Sequence, residues 1–257
     1  MSASTADHLL CVERISKRFY GLVALEDVSF EVRGGELVGL IGPNGSGKTT
    51  LFNCVTGYLR PERGRIVYRG KEITSLPPHR IALEGIGRTF QAARVFPRLT
   101  VMEHMLAARQ EFQGDGVVSR LVRGPAARRS EAEAAERARH LLEDVGLAGM
   151  ASQPGAHLSY GQRKLLALAM ALMTDPALLL LDEPVAGVTP VLVERLVELI
   201  RELHRTGRTV VLIEHNMRVV MELCERVVVL DYGRKIAEGP PHAVRSDPRV
   251  VEAYFGR

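Results

Sequence analysis

The chain has 257 residues, of which 46% are hydrophobic and 25% are charged, and its formal net charge is +4 at pH 7. This composition excludes disordered and fibrous proteins, and the length is sufficient for a substantial hydrophobic core. The small excess of positive charge permits contact with nucleic acid or an anionic membrane surface but requires neither.

The N-terminal part of the chain is predicted to form an antiparallel β region. Its first residues lack a positively charged start and a long apolar stretch, so we do not expect a secretory signal. β-rich segments follow at 28–32 and 65–70, and the Gly34-Gly35 pair after the first of them indicates a tight turn. The three cysteines of the chain are widely spaced and match no metal-ligand pattern, which favours a reducing compartment.

Short apolar runs alternate with helical patterns through much of the remaining chain. Continuous apolar strands separated by helices indicate a mainly parallel sheet that is covered on both faces. Between residues 190 and 204, leucines repeat at helical spacing and Pro190 stands at a first-turn position, which predicts a crossover helix. The predicted buried strands are 37–42, 177–183, 209–215 and 226–231.

Residues 91–173 show helical patterns and no convincing buried strand. We therefore predict an α-helical subdomain that is inserted into an α/β core made of residues 1–90 and 174–257. Within the insertion, residues 114–130 are rich in glycine and arginine and are predicted to form a surface excursion.

A helix is predicted to follow this excursion directly. Ser130 and Glu133 have the spacing of a capping box, which places the start of the helix at Ser130. Gly146 is the predicted stop, because glycine readily adopts the left-handed conformation that ends many helices.

The segment GPNGSGKTT at residues 42–50 matches the phosphate-binding pattern G-x-x-x-x-G-K-[ST] between an apolar strand and a helical segment. Its glycines let the backbone curl so that N–H groups point inward, beside the positive end of the next helix dipole. Lys48 is placed to reach the β- and γ-phosphates of a nucleotide, and the Thr49 hydroxyl to bind Mg²⁺. A plain flexible glycine loop would not need this spacing. The predicted nucleotide-binding residues of the loop are Gly42, Asn44, Gly45, Ser46, Gly47, Lys48, Thr49 and Thr50.

Two carboxylates follow the strand of four leucines in LLLLDEP. Asp182 and Glu183 are predicted to lie at the carboxyl edge of the sheet, where ligands bind in open α/β folds. Asp182 is suited to hold Mg²⁺, and Glu183 then remains to polarise an attacking water. The alternative is that both residues simply end the strand before Pro184, and the phosphate-binding loop weighs against it.

The segment LSYGQ at residues 158–162, taken with the two preceding motifs, resembles the ATP-binding cassette (ABC) family. The family signature is usually LSGGQ, and Tyr160 replaces its first glycine here. The same residues also have a simpler explanation, because Ser159 and Gln162 form a capping box that opens a helix. A capped helix start is itself an anion site, so the two interpretations are compatible.

The resemblance implies a site shared between two subunits. In the family this helix start faces the γ-phosphate held by the opposite subunit, and two ATP molecules are buried at a head-to-tail dimer interface. Ser159, Gly161 and Gln162 would bind nucleotide in this way. The implied partner is a second copy of the chain or a paralogous ATPase subunit.

Three further residues match family positions. Gln91 in RTFQ matches the glutamine that contacts Mg²⁺ and water and joins the core to the helical subdomain. His215 in LIEHNM ends a strand and matches the switch histidine that contacts the γ-phosphate and orients catalytic groups. Phe19 in KRFYG stands where the family keeps an aromatic that stacks on adenine, although the neighbouring Tyr20 is also aromatic.

The match extends over nearly the whole chain and is similar in detail to the ATPase subunits of branched-chain amino acid importers, especially the paralogue with the longer helical-subdomain insertion. The resemblance implies ATP and Mg²⁺ as cofactors and membrane permease subunits as partners, with a substrate-binding protein acting indirectly. It also implies a peripheral location on the cytoplasmic face of the plasma (inner) membrane. The segments that carry it are 52–57, 88–104, 114–130, LSYGQ, IEHNM and 237–256.

One segment departs from the family pattern. After Glu183-Pro184 the family has a loop that carries Asp or Asn just before a proline-led helix, and this chain has VAGVTP with Thr189. Thr189 is predicted to cap the helix that Pro190 begins. The departure leaves open how tightly this loop couples the two nucleotide sites.

Other functions predict other features. Soluble ABC ATPases that act on nucleic acid or ribosomes generally carry two cassettes or a long coiled coil, whereas this chain has one uninterrupted cassette, so no nucleic-acid partner is expected. A small-molecule kinase has no need of LSYGQ. The ATPase of a lipopolysaccharide-type exporter has a closely similar cassette and stays an alternative, against which residues 114–130 argue.

Overall fold

A computed structural model describes residues 8–90, 95–109 and 125–255 of the chain. Gln91, the predicted ligand of Mg²⁺, lies outside these residues, as does most of the predicted excursion at 114–130. The described residues contain mixed α/β structure.

The strands form two sheets. β1 pairs with β2 and β4 in an antiparallel sheet of order β2-β1-β4-β5, and the second sheet has the order β10-β9-β3-β8-β7-β6. Within the second sheet, β9, β3, β8, β7 and β6 are parallel, and only β10 pairs antiparallel. The strands are β1 (His8–Phe19), β2 (Leu22–Arg33), β3 (Leu37–Ile41), β4 (Arg63–Tyr68), β5 (Lys71–Glu72), β6 (Ile86–Arg88), β7 (Leu178–Asp182), β8 (Thr209–Ile213), β9 (Arg226–Asp231) and β10 (Arg234–Gly239).

Helices lie between successive strands of the parallel part of the second sheet, and the predicted crossover helix is confirmed with Pro190 as its first residue. The four predicted buried strands are also confirmed, as β3, β7, β8 and β9. The helices are α1 (Lys48–Val55), α2 (Pro78–Leu83), α3 (Val101–Ala107), α4 (Pro125–Asp144), α5 (Tyr160–Leu172), α6 (Pro190–Arg205), α7 (Met217–Leu223), α8 (Pro241–Arg245) and α9 (Pro248–Phe255).

The parallel sheet is covered on both faces, and every residue of its central strands β3, β7 and β8 is buried. Alternate side chains of β3, β7 and β8 point to opposite sides, and each set joins a different apolar cluster. The antiparallel sheet and α1 contribute to one cluster, and helices α3 to α7 contribute to the other. This packing holds the carboxyl ends of the parallel strands in a fixed row.

The start of α4 was predicted wrongly. The helix begins at Pro125, so Ser130 is an interior residue and does not cap it. Proline is favoured in a first turn, and the hydroxyl and carbonyl of Ser130 instead accept hydrogen bonds from the side chain of Arg109. The predicted stop is confirmed, because Gly146 has φ of 76° and lies two residues after Asp144, the last residue of the helix.

Each described helix is too short or too polar to cross a membrane. The cysteines Cys11, Cys54 and Cys224 are buried and free. Burial raises the pKa of Cys54 to about 11 and that of Cys224 to about 12, so these thiols stay protonated at neutral pH.

Candidate functional site

The phosphate-binding loop joins β3 to α1 and is enclosed by neighbouring backbone. Gly42 has φ of 149°, and a Cβ atom there would overlap the carbonyl oxygen of Leu230 in β9. Gly47 has φ of 103°, and a Cβ atom there would lie 2.6 Å from the carbonyl oxygen of Ala24. Both positions therefore require glycine for conformation and for space, whereas Gly45 has φ of 80° and open surroundings.

Lys48 is the first residue of α1 and is buried against the loop. Its Nζ donates hydrogen bonds to the carbonyl oxygens of Gly42 and Pro43, both at 2.8 Å, and lies 3.3 Å from Oγ of Ser46. Burial lowers the pKa of Lys48 to about 8, although the carboxylates of Glu183 and Asp182 oppose this shift. The ammonium thus lies where it can exchange backbone carbonyls for phosphate oxygens.

The other predicted loop residues differ in exposure. Asn44 and Thr49 are exposed, Ser46 is buried, and Thr50 is half-buried. Thr49 stands in the first turn of α1, so its hydroxyl is at the positive end of the helix.

Asp182 ends β7 and is almost completely buried. Its Oδ2 accepts a hydrogen bond of 3.2 Å from the guanidinium of Arg88, whereas its Oδ1 is buried without a hydrogen-bond partner among the described residues. The pKa of Asp182 is raised, because the effect of burial exceeds the opposing effect of the Arg88 guanidinium. A buried carboxylate oxygen without a donor is a group that Mg²⁺ can satisfy, so this donor set fits a hard divalent cation.

Glu183 follows Asp182 and adopts a left-handed backbone conformation with φ of 48°. Its N–H donates to the carbonyl oxygen of Ile213 at the end of β8. Its Oε1 lies 3.0 Å from Nε2 of His215, and its side chain is 15% exposed. The structure thus brings Glu183 and His215, which were predicted separately, into one hydrogen-bonded pair.

Sequence analysis missed Glu214, which fixes this pair. The Glu214 carboxylate is buried and accepts hydrogen bonds from the N–H groups of Val185, His215 and Asn216, at 3.1, 3.0 and 3.1 Å. It therefore joins the loop after β7 to the loop after β8. An acidic residue at the end of an apolar strand was the available signal.

Arg88 was also missed, although it lies in the quoted segment RTFQ. Besides Asp182, its guanidinium donates to Oδ1 of Asn53 at 2.7 Å and to Oγ1 of Thr56 at 2.9 Å. Three aromatic rings surround the guanidinium carbon at 4.9 to 6.0 Å, which is cation–π distance. The rings are those of Phe52, Tyr58 and Phe90.

The predicted capping box at the start of α5 is confirmed. Oγ of Ser159 accepts from the N–H of Gln162 at 3.2 Å, and Oε1 of Gln162 accepts from the N–H of Ser159 at 2.8 Å. Thr189 occupies the N-cap position of α6, but its side chain makes no capping hydrogen bond, so that prediction is wrong. Pro190 has no N–H, so the first turn of α6 has one donor fewer to satisfy.

Phe19 ends β1 and is 36% exposed, with Nζ of Lys17 at 5.5 Å from its ring centre. It pairs with Leu22 at the start of β2, the strand that also carries Ala24 against Gly47. The aromatic ring is thus next to the turn that joins β1 to β2.

Comparison with known proteins agrees with these motifs. Residues 25–186 match the ABC transporter family. Residues 234–257 match a second family, the branched-chain amino acid ATP-binding cassette transporter.

Individual relatives cover nearly the whole chain. The high-affinity branched-chain amino acid transport ATP-binding protein LivG of Salmonella typhimurium is 43% identical over 96% of this chain and 98% of its own length. The lipopolysaccharide export system ATP-binding protein LptB of Haemophilus influenzae is 37% identical over 96% and 97%.

A crystal structure of a nucleotide-free ATP-binding cassette from an ABC transporter superposes with a TM-score of 0.84 at 35% identity, covering 97% of this chain and all of that one. An ADP-bound cassette has a TM-score of 0.79 at 32% identity, covering 97% and 99%. With this likeness in fold and the family match over residues 25–186, the chain belongs to the ATP-binding subunits of ABC transporters, a family of ATPases coupled to transport.

Proposed function

We propose that this chain is the ATP-hydrolysing subunit of an ABC importer for branched-chain amino acids or a related small polar solute. The observation that supports ATP hydrolysis is the Glu183–His215 pair, which lies beside Asp182 and the phosphate-binding loop. The C-terminal match at residues 234–257 and the identity to LivG support the cargo.

The loop and α1 are proposed to bind the phosphates of ATP. Lys48 would exchange its bonds to the carbonyls of Gly42 and Pro43 for bonds to the β- and γ-phosphates. Backbone N–H groups in the first turn of α1 would provide further donors. Phe19 is proposed to stack on the adenine ring.

Mg²⁺ is proposed to be held by Asp182, Thr49 and Gln91. The support within the described residues is the buried Oδ1 of Asp182, which has no other partner there, and the position of Thr49 in the first turn of α1. When bound, the cation supplies neutralisation of charge on the phosphates.

Glu183 is proposed to polarise the attacking water, and His215 to orient Glu183 and contact the γ-phosphate. The pair fits these roles because the 3.0 Å contact with Nε2 of His215 orients the Glu183 carboxylate at the sheet edge, next to Asp182. Glu214 accepts hydrogen bonds from the N–H groups of Val185, two residues after Glu183, and of His215 itself. These bonds preorganise the pair before substrate binds.

The signature residues Ser159, Gly161 and Gln162 are proposed to act on the nucleotide of a second subunit. In this chain Ser159 makes its capping bonds with Gln162, which leaves the dipole of α5 available to an anion from outside. A head-to-tail dimer, with a second copy or a paralogous ATPase subunit, would satisfy this geometry.

The chain is proposed to form one ATP-binding domain with an inserted subdomain. Residues 91–173 are proposed as the helical subdomain, and residues 1–90 with 174–257 as the nucleotide-binding core. Membrane permease subunits are proposed as direct partners and a substrate-binding protein as an indirect one, which would place the chain peripherally on the cytoplasmic face of the membrane.

The test separates hydrolysis from cargo. The purified chain should hydrolyse ATP only with Mg²⁺ present, and absence of Mg²⁺-dependent hydrolysis would refute the enzymatic proposal. Proteoliposomes that hold the membrane subunits encoded beside its gene should then take up labelled leucine when ATP and the matching substrate-binding protein are supplied. Assembly with lipopolysaccharide-export membrane subunits instead, without leucine uptake, would favour the LptB-type alternative.

A further inference from the structure

The start of α5 packs closely on the segment that follows Glu183. A Cβ atom on Gly161 would overlap Cδ2 of Leu192 in α6, so the two helices approach closely here and the Leu192 side chain would have to move to admit a larger residue. The ring of Tyr160 lies over Gly187, where a Cβ atom would be 3.2 Å from Cε1 of the ring. Tyr160, which replaces the usual glycine of the signature, is therefore a packing residue for the loop before α6.

Lys164, one turn further along α5, contacts the start of the same loop, at Glu183. Its Nζ donates a hydrogen bond of 2.5 Å to the backbone carbonyl oxygen of Glu183 and lies 5.7 Å from the ring centre of Tyr160. The lysine is 6% exposed. Burial lowers the pKa of Lys164, and the carboxylates of Glu214, Glu183 and Asp182 oppose that shift.

The carbonyl that Lys164 binds belongs to a residue with an unfavourable backbone conformation. Left-handed φ values are disfavoured for residues other than glycine, and they persist where the surroundings hold them. At Glu183, the N–H is held by the carbonyl of Ile213 and the C=O by Lys164. These two bonds set the direction in which the Glu183 carboxylate leaves the sheet edge.

We propose that Lys164 is a positioning residue that ties the signature helix to the catalytic carboxylate of its own chain. The inference rests on the proposed function, in which Ser159 docks the nucleotide of a second subunit. Movement of α5 on that docking would be passed through Lys164 to the Glu183 backbone, and through Tyr160 to Gly187. Each subunit would then adjust its own water-polarising group according to whether the other site is filled.

The experiment compares three variants with the unaltered full-length protein. Lys164→Met removes the donor while keeping an unbranched side chain of similar length, and Lys164→Arg keeps a cationic donor. Arg137→Met is the matched control, since Arg137 donates to the carbonyls of Leu172 and Met173 at the opposite end of α5. ATP affinity, kcat and the Hill coefficient for ATP are measured for each, with the melting temperature.

Lys164→Met is expected to lower kcat by on the order of tenfold, to leave ATP affinity within about twofold, and to remove cooperativity in ATP. Lys164→Arg is expected to restore most of the rate, and Arg137→Met to retain rate and cooperativity. A kcat within about twofold of normal in Lys164→Met, or equal losses of rate and affinity, would overturn the inference.

One further variant tests the inference if Lys164→Met cannot be studied. If Lys164→Met does not fold, Tyr160→Ala tests the same link from the exposed side and should lower the Hill coefficient without loss of ATP binding; an unchanged coefficient would overturn the inference. If the unaltered protein does not hydrolyse ATP at all, it is the proposed function that fails.

Discussion

Nε2 of His215 lies 3.0 Å from Oε1 of Glu183, although the two residues come from different strands of the parallel sheet. Their meeting follows from the register of β7 with β8, in which Asp182 is level with Ile213. Glu183, one residue past Asp182, and His215, two residues past Ile213, therefore lie at the same edge of the sheet.

Glu183→Gln should abolish most turnover while ATP still binds. The change removes only the charge that polarises water and leaves Lys48 and Asp182 in place. With hydrolysis blocked, bound ATP should favour the dimer by mass action. Size-exclusion chromatography with and without ATP and Mg²⁺ checks this, and near-normal ATPase activity would remove Glu183 from its role.

Lys48→Ala and His215→Ala should fail in different ways. Loss of Lys48 deletes the side-chain cation aimed at the phosphates, so ATP affinity should fall. Loss of His215 should lower kcat by on the order of a hundredfold with a smaller change in affinity, because its main effect is to orient Glu183 and Lys48 still binds the γ-phosphate. Equilibrium binding and steady-state rates distinguish them, and equal loss of affinity in both variants would contradict the separate roles.

ATP affinity should weaken as the pH rises through about 8. Burial lowers the pKa of Lys48 to about 8, so above that pH the free protein loses the cation and must take up a proton to bind the phosphates strongly. Calorimetric titrations at pH 7 and pH 9 in buffers of different ionisation enthalpy measure this proton uptake. Constant affinity and no proton uptake at the higher pH would show that Lys48 stays charged.

The lowered pKa of Lys48 also makes the free energy of unfolding depend on pH. Between the folded pKa of about 8 and the higher unfolded value, the unfolded chain binds more protons than the folded one. The contribution of Lys48 to the free energy of unfolding therefore rises with pH across that window.

Arg88→Met should destabilise the fold by about 3 kcal/mol, because it leaves the buried Asp182 carboxylate without its cation. The loss should shrink as the pH falls, since burial already raises the pKa of Asp182 and a protonated carboxyl needs no counterion. Urea unfolding at pH 8 and pH 5 measures both effects. Arg65→Met, which breaks an exposed pair with Glu13, is the control and should change stability little.

Mixing two inactive variants tests whether sites are shared. Ser159→Arg places a bulky cation where the second subunit's γ-phosphate must dock, and Lys48→Ala damages the phosphate loop. A mixed dimer has one site with both lesions and one with neither, whereas each parent dimer carries a lesion in every site. Activity in the mixture alone shows shared sites.

A mixture as inactive as its parents has two explanations, which crosslinking separates. Shared sites still require an ATP-dependent contact near Ser159 in the mixed dimer. Crosslinking there only when ATP is present would mean that both sites must be intact together, and no such contact would mean that catalysis is confined to one chain.

The sequence predicted the elements that local patterns determine. The apolar strands, the loop between β3 and α1, and the capping box at Ser159 depend on neighbours in sequence, and all are present. The prediction that Ser130 caps α4 was wrong because the helix begins five residues earlier, at Pro125. The Ser130 hydroxyl instead accepts a hydrogen bond from Arg109, which follows α3.

Long-range side-chain partners could not be predicted in the same way. Arg88 and Asp182 are distant in sequence, and their bond depends on the pairing of β6 with β7. Lys164 looked like one more polar residue at the start of an apolar helix, and only the packing of α5 under Glu183 gives it a partner.

The crowding at Gly42 also sets which substitutions the loop can accept during evolution. At Gly45 a side chain meets only backbone strain, on the order of 1 kcal/mol, because the surrounding space is open. At Gly42 any side chain must displace the backbone of β9 and, with it, the central sheet. A random library of this loop should therefore recover variants at position 45 in folded protein but almost none at position 42, whether or not the cells need the transporter.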